Sequence, residues 1–293
     1  MRKFFVKLCF IFLLFFSCSS VKQNEKQSSI QVQNFSSPEN IELEWNEIND
    51  YVSKADFYIQ DFGALCHIVK IDLQKESLCI VPFPGDITSK KTLSAVQFAK
   101  KNNCSVVFNT TPYSQKVKLI SQKKPVGIIQ NGNIMYSAPN ARYCALAFFK
   151  TQEGTRAKII QFQNKEDLST AFTQDELLLC HGGFWQILKD GDLIQFKEIY
   201  DSRTAVGVSK DEKTLFIFIA EGERKNKSKG LSYMQCASVL KKIGAENAMQ
   251  FDGGNSTCLI INGKNALSYY KNPILPAFIG FSERCIYKEL SKN

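Results

Sequence analysis

Four tight-turn signals cut the body of this chain into short apolar runs, and they favour a fold built on hairpins. They are Asn131-Gly132, Asp190-Gly191, Asn262-Gly263 and the charged Lys210-Asp211-Glu212-Lys213. Asn-Gly and Asp-Gly readily adopt the positive φ that a tight hairpin needs, so their flanks read as strands. Val126-Gly127-Ile128-Ile129 precedes the first turn and Cys258-Leu259-Ile260-Ile261 the third. Ala205 to Val208 is expected to pair with Leu215 to Ala220 across the charged turn. Helices are signalled separately. Ser232-Tyr233-Met234-Gln235 has the form of a capping box, with Cys236, Val239, Leu240 and Ile243 on one helical face and Gly244 as the stop. A second helix is expected from Leu93 to Lys101, burying Val96, Phe98 and Ala99, and a short third over Lys165 to Phe172. Hairpins mixed with separate helices predict an α+β fold rather than a doubly wound sheet.

The N-terminus reads as an export signal. Arg2, Lys3 and Lys7 precede an apolar run from Leu8 to Phe16, followed by Ser17-Cys18-Ser19-Ser20. That run is short of the ~20 residues that span a bilayer and has the layout of a secretory leader. A small residue followed by Cys18 is the pattern of lipoprotein cleavage, with Cys18 acylated; ordinary cleavage leaving Cys18 as a thiol is the alternative. Residues 1–18 are thus expected to be the leader. The Ser-, Gln- and Asn-rich stretch 19–40 buries too little apolar surface to fold and reads as a tether. Residues 41–293 carry the globular pattern. The expected location is extracytoplasmic, on a membrane through the lipid anchor.

Formal net charge is +9, of which Arg2, Lys3 and Lys7 contribute three. The remaining mild excess agrees with an anionic ligand, and the basic, aromatic-interleaved stripes of nucleic-acid binders are absent. Of the 10 cysteines, Cys9 and Cys18 belong to the leader. The other eight are scattered singly, several in apolar strings, so small buried hydrophobes are as good a reading as disulfides. His67 and His181 are the only histidines, and neither lies near a cysteine pair, which argues against zinc.

The stretch richest in chemistry is Gln250-Phe251-Asp252-Gly253-Gly254-Asn255-Ser256-Thr257. A strand delivers Asp252 into a turn that two glycines permit, and such a turn can aim backbone N–H groups at an anion beside a carboxylate. Asp201-Ser202-Arg203-Thr204-Ala205-Val206-Gly207 puts a guanidinium at a strand mouth, suited to gripping phosphate. Glu221-Gly222 ends its hairpin partner, and Asn109 ends the strand Cys104 to Asn109. Taken singly these read as a turn, a surface ion pair, a loop charge and a turn former. His181-Gly182-Gly183 precedes another hairpin, and a lone histidine is more often structural. Neither a nucleophile elbow nor a phosphate or dinucleotide fingerprint is present.

In this order the segments resemble the phosphodiester glycosidase family over Leu93 to Gly280. Asp252-Gly253-Gly254-Asn255-Ser256-Thr257 is similar to its D-G-G-G-S-[ST], Ser202-Arg203-Thr204-Ala205-Val206-Gly207 to its R-T-A-[IV]-G strand, and Phe98 through Asn109 to its helix, strand and N-G-G turn. Asn255, Thr110-Thr111 and Glu221-Gly222 depart from a glycine, a glycine pair and an Asp-Gly. The resemblance implies hydrolysis of a sugar-1-phosphodiester or phosphorylated glycan at the anomeric carbon, with a phosphomonoester leaving. It implies Asp252 as base or nucleophile with Glu221 as partner, and Arg203 on the phosphate. Gly253 and Gly254 amides with Ser256 and Thr257 hydroxyls would hold ligand oxygens, Asn109 would orient a sugar hydroxyl, and His181 would stand within reach. No cofactor is required, and a divalent cation is left open. The competing reading is an envelope lipoprotein of the same fold that binds an anionic glycan without cleaving it; a third is a purely structural envelope protein.

Overall fold

The four turn signals all close hairpins. Asp190 and Gly191 have φ of 49° and 80°, Asn262 and Gly263 of 49° and 73°, Gly132 of 52° and Glu212 of 61°. Across the charged turn, Ala205 faces Phe218 and Val208 faces Leu215 in an antiparallel pair, as expected. This computed structural model describes residues 41, 43–85, 92–115, 122–162, 176–222 and 227–283. The expected leader with Cys18, the tether 19–40 and the helix Lys165 to Phe172 lie outside them.

Among the described residues the strands form three main sheets. The eight-stranded sheet is ordered Asn46–Asn49, Val52–Ile59, Ala64–Asp72, Thr214–Ala220, Arg203–Val208, Asn247–Gln250, Gln186–Lys189 and Asp192–Leu193. One five-stranded sheet centres on Cys104–Asn109 between Leu259–Ile261 and Phe278–Ser282, and the other on Leu177–Gly182 beside Cys144–Thr151. Pairings around the strand ends of interest are antiparallel. Among the described residues the α-helices are Ala95–Lys101 and Tyr233–Lys242. The described part is therefore mostly β, a correction to the α+β expectation. Two short helices pack on sheets whose own hairpins carry the connectivity, so helices do not form a layer of comparable weight.

Strand alternation assigns each side chain of the large sheet to one of two cores. One face sends Val69, Ile71, Val206, Ile217 and Ile219 against Phe108, Phe148 and Phe281 of the smaller sheets. The other sends Ile68, Ala205, Phe218 and Ala220 against Cys236, Val239 and Leu240 of the second helix. That helix begins with the expected capping box: the Gln235 N–H donates to Ser232 Oγ, and the Ser232 N–H to the Gln235 side chain. The first helix has the same box on Ser94 and Gln97. Six cysteines, Cys66, Cys104, Cys144, Cys180, Cys236 and Cys258, are free and buried, whereas Cys79 is disulfide-bonded.

Gly207 sets how closely the second helix approaches. A Cβ there would lie 2.6 Å from the Ala245 Cβ and 3.1 Å from Leu240 Cδ2. Gly207→Val is expected to lower unfolding free energy by about 3 kcal/mol through overpacking. Ser232→Ala should cost about 1 kcal/mol through the lost cap; urea denaturation of both variants checks the ranking.

Candidate functional site

Three strand ends converge through one side chain. Asn109 closes Cys104–Asn109 in a small sheet, and its Nδ2 donates to the Asp252 carbonyl at 2.6 Å. Its Oδ1 accepts from Thr204 Oγ1 at 2.8 Å and from the Cys258 N–H at 3.0 Å. At 1% exposure, Asn109 thus joins two sheets and the turn instead of presenting its carboxamide to a ligand. The neighbouring Thr110 carbonyl accepts the Asp252 N–H at 3.1 Å.

The double-glycine turn is closed on itself. Gly254, with φ of 55°, donates its N–H to the Ser202 carbonyl at 2.8 Å. The Gly253 N–H donates to the Asp252 carboxylate, as does the Ser256 hydroxyl. Thr257 is fully buried, and its hydroxyl has no partner among the described residues. The amides expected to cradle an anion are therefore engaged within the fold, because the turn must satisfy its own buried donors first. Asn255 is exposed, so the side chain at the departed glycine points out of the turn. Lys271 Nζ donates to the Gly254 carbonyl at 2.8 Å.

Arg203 and Asp252 leave the sheet on the side of the second helix. The Arg203 guanidinium lies 4.4 Å over the Tyr233 ring; its Nε donates to the Leu231 carbonyl at 2.8 Å and its Nη2 to the Ile199 carbonyl. Among the described residues those are its two hydrogen bonds, which leaves the rest of its five N–H donors for a bound anion. Burial raises the Asp252 pKa to about 6, against the Ser256 and Gly253 hydrogen bonds and the charge of Lys123, with the charge of Asp201 adding to the rise. The Phe251 N–H donates to the Thr204 carbonyl and the Gly254 N–H to the Ser202 carbonyl, both at 2.8 Å, which sets Asp252 beside Arg203 and its ring partner Tyr233. Sequence reasoning missed Asp201, Tyr233, Lys123 and Lys271. The available signals were an acid two residues before Arg203 and an aromatic next to the Ser232 cap.

Glu221 is not brought to that neighbourhood. Its ladder bond to Leu65 continues the strand, so its side chain shares the face of Ile219 and His67, opposite Arg203. There, fully buried, it accepts from the Ser268 N–H at 2.5 Å and from the Ser268 hydroxyl, and pairs with His67 Nε2 at 2.8 Å. His67 Nδ1 pairs with exposed Asp56 at 2.6 Å. Glu221 therefore anchors the loop that carries Lys271 toward the turn. Burial raises the Glu221 pKa, but hydrogen bonds from His67 and Ser268 prevail and hold it below the usual range. Burial lowers that of His67, and the two carboxylates prevail and raise it.

His181 is fully buried too. Its Nδ1 is 2.9 Å from the Thr110 hydroxyl, and burial pushes its pKa down to about 3, leaving a neutral ring. It backs Thr110, which holds Asp252, and does not itself line the Arg203 side. Among the described residues no group of three or more His, Cys, Asp or Glu is placed to hold a metal ion.

The sequence profile described as phosphodiester glycosidase matches residues 102–279. No curated protein sequence matches. Among solved structures the chain is similar to the zebrafish N-acetylglucosamine-1-phosphodiester alpha-N-acetylglucosaminidase catalytic domain, auto-inhibited by its pro-peptide. That match has 20% identity and a TM-score of 0.59 over 85% of this chain and 86% of that one. A hypothetical protein from Synechocystis matches at 13% identity and TM-score 0.56, over 83% and 64% of the two chains. A putative exported protein from Burkholderia pseudomallei K96243 matches at 11% and 0.55, over 75% and 74%. At these identities the structural likenesses speak to fold.

Two opposed titrations govern the Glu221 cluster. The depressed Glu221 pKa stabilises above the ordinary 4.5 and is lost as pH falls through its folded value. The raised His67 pKa stabilises below the ordinary 6.5 and is lost as pH rises through its folded value. His67→Leu, which strands a buried carboxylate, is expected to cost about 3 kcal/mol near pH 6. That deficit should shrink as pH falls below 4.5, measured by urea denaturation across pH.

Proposed function

The chain belongs to the phosphodiester glycosidase family, and we propose that its site hydrolyses a sugar-1-phosphodiester at the bond between the anomeric carbon and the phosphate oxygen. The observation that carries this reading is the pairing of a fixed cation with a basic carboxylate. Arg203 is held over Tyr233 with donors to spare, and Asp252 stands in the same neighbourhood with a pKa of about 6.

The chemistry follows from the leaving group. A phosphomonoester departs more readily than an alcohol, so strong acid assistance is dispensable and charge stabilisation on the phosphate matters more. Arg203 receives the departing phosphate through its uncommitted N–H groups. Asp252, its proton affinity raised by burial, takes a proton from the attacking water; a base with pKa close to the working pH is best matched to that task. The water oxygen bonds to the anomeric carbon while the electrons of the breaking bond pass to the phosphate oxygen. Asn109 and Thr110 fix Asp252 from behind, and Tyr233 fixes Arg203 from below.

Cys18 and the apolar run before it support a second part of the proposal, that the domain is exported and held on a membrane by a lipid on Cys18, behind the 19–40 tether. Replacing Cys18→Ser should then move the protein from the detergent phase to the aqueous phase on phase partitioning.

The activity is tested on a panel of hexose-1-phosphate methyl diesters, reading free sugar and methyl phosphate in water enriched in oxygen-18. The label is expected in the sugar, and the rate should rise with pH through about 6 as Asp252 loses its proton. Asp252→Asn should cost about a thousandfold in kcat and Arg203→Ala about a hundredfold in kcat/KM. Tight binding without turnover across the panel would instead establish a glycan-binding protein.

A further inference from the structure

With Glu221 on the far face of the sheet, the negative charge that a cationic sugar ring calls for must come from elsewhere, and one carboxylate is placed for it. Asp201 precedes Arg203 by two residues, and its backbone is clamped on three sides. Its N–H and carbonyl exchange hydrogen bonds with Leu231 at 3.4 and 3.0 Å. A Cβ on Gly230 would sit 2.1 Å from the Asp201 carbonyl oxygen, and one on Gly222 2.5 Å from the Ser202 nitrogen. The Ser202 carbonyl accepts the Gly254 N–H, and a Cβ on Gly253 would meet that carbonyl at 2.7 Å.

This clamp sets the carboxylate. Oδ1 accepts the Ser202 N–H at 2.8 Å. Oδ2 lies 3.2 Å from the position a Gly254 Cβ would take, so the carboxylate stands against Gly254 in the turn that begins at Asp252. Asp201 is only partly buried, and no salt bridge to it exists among the described residues. Its charge reaches both Asp252 and Tyr233. In place of a buried-face acid committed to a histidine and a serine, the turn has beside it a partly exposed acid with one oxygen bound to the Ser202 N–H.

We propose that Asp201 is the second carboxylate of the reaction centre, facing the sugar ring and offsetting the positive charge that develops there as the phosphate leaves. The inference rests on the hydrolase reading above. Asp201 forms no bond to the sugar: the proton of water goes to Asp252, and the electrons of the carbon–oxygen bond go to the phosphate. Charge dispersal of this kind is what paired carboxylates supply in glycoside hydrolysis.

The test uses the full chain and the methyl diester that wild type cleaves fastest. Asp201→Asn keeps an oxygen to accept the Ser202 N–H, so the clamp survives while the charge is removed. It is expected to lower kcat about a hundredfold with KM changed less, and Asp201→Glu to restore part of the loss. It should also move the rising limb of the pH profile to lower pH, because a negative neighbour of Asp252 is gone while Lys123, Lys271, Arg203 and Tyr233 remain. A structural defect alone would lower activity without moving that limb. If wild type is active and Asp201→Asn stays within threefold of it with an unmoved limb, the assignment is overturned and the hydrolase reading stands. Absence of turnover in wild type removes the hydrolase reading and this proposal with it.

Discussion

A single buried carboxamide holds the candidate site in place. Asn109 ends a strand of one sheet, accepts from Thr204 in another, and donates to the carbonyl of Asp252 in the turn between them. Each of these partners is buried or nearly so, so losing any bond would leave a polar atom without water to replace it, at a cost of about 1–3 kcal/mol. The turn that follows has the same economy. Its amides close onto Ser202, Asp252 and their own carbonyls, which fixes where Asp252 points and leaves side chains, instead of backbone N–H groups, to meet a ligand.

Hairpins and caps were legible in the sequence because their causes are local. Asn262-Gly263 favours a tight turn through its own two residues, and the Ser232–Gln235 box needs only four residues. The site was half legible. Arg203 and Asp252 each stand at a strand end beside a recognisable motif, and the structure brings them to one neighbourhood beside Tyr233. Glu221 looked equivalent, one strand over. Its side is decided by pairing parity, since consecutive residues of a strand face opposite ways, and that parity depends on a register with Ala64–Asp72 set some 150 residues away in sequence. The same long-range pairing hides His67 as its partner.

The glycine amides were misjudged for a different reason. A turn sequence reveals permissive φ but not who claims each N–H, and the acceptor of the Gly254 N–H, Ser202, lies just ahead of a separate strand. Asp201 went unnoticed because its importance comes from contacts with Gly222, Gly230 and Gly254, none adjacent to it in the chain. The fold class leaned too far toward helix because capped helices announce themselves strongly, whereas strands contribute weak signals that only register adds together.

The three-sided clamp on Asp201 and Ser202 also decides where this turn can accept a side chain. Positions 222, 230 and 253 admit no side chain without shifting a neighbouring backbone, and position 254 adds a left-handed φ. Position 255 alone in that turn looks outward. A side chain at position 255 can therefore change what approaching molecules encounter while the scaffold behind it stays unchanged.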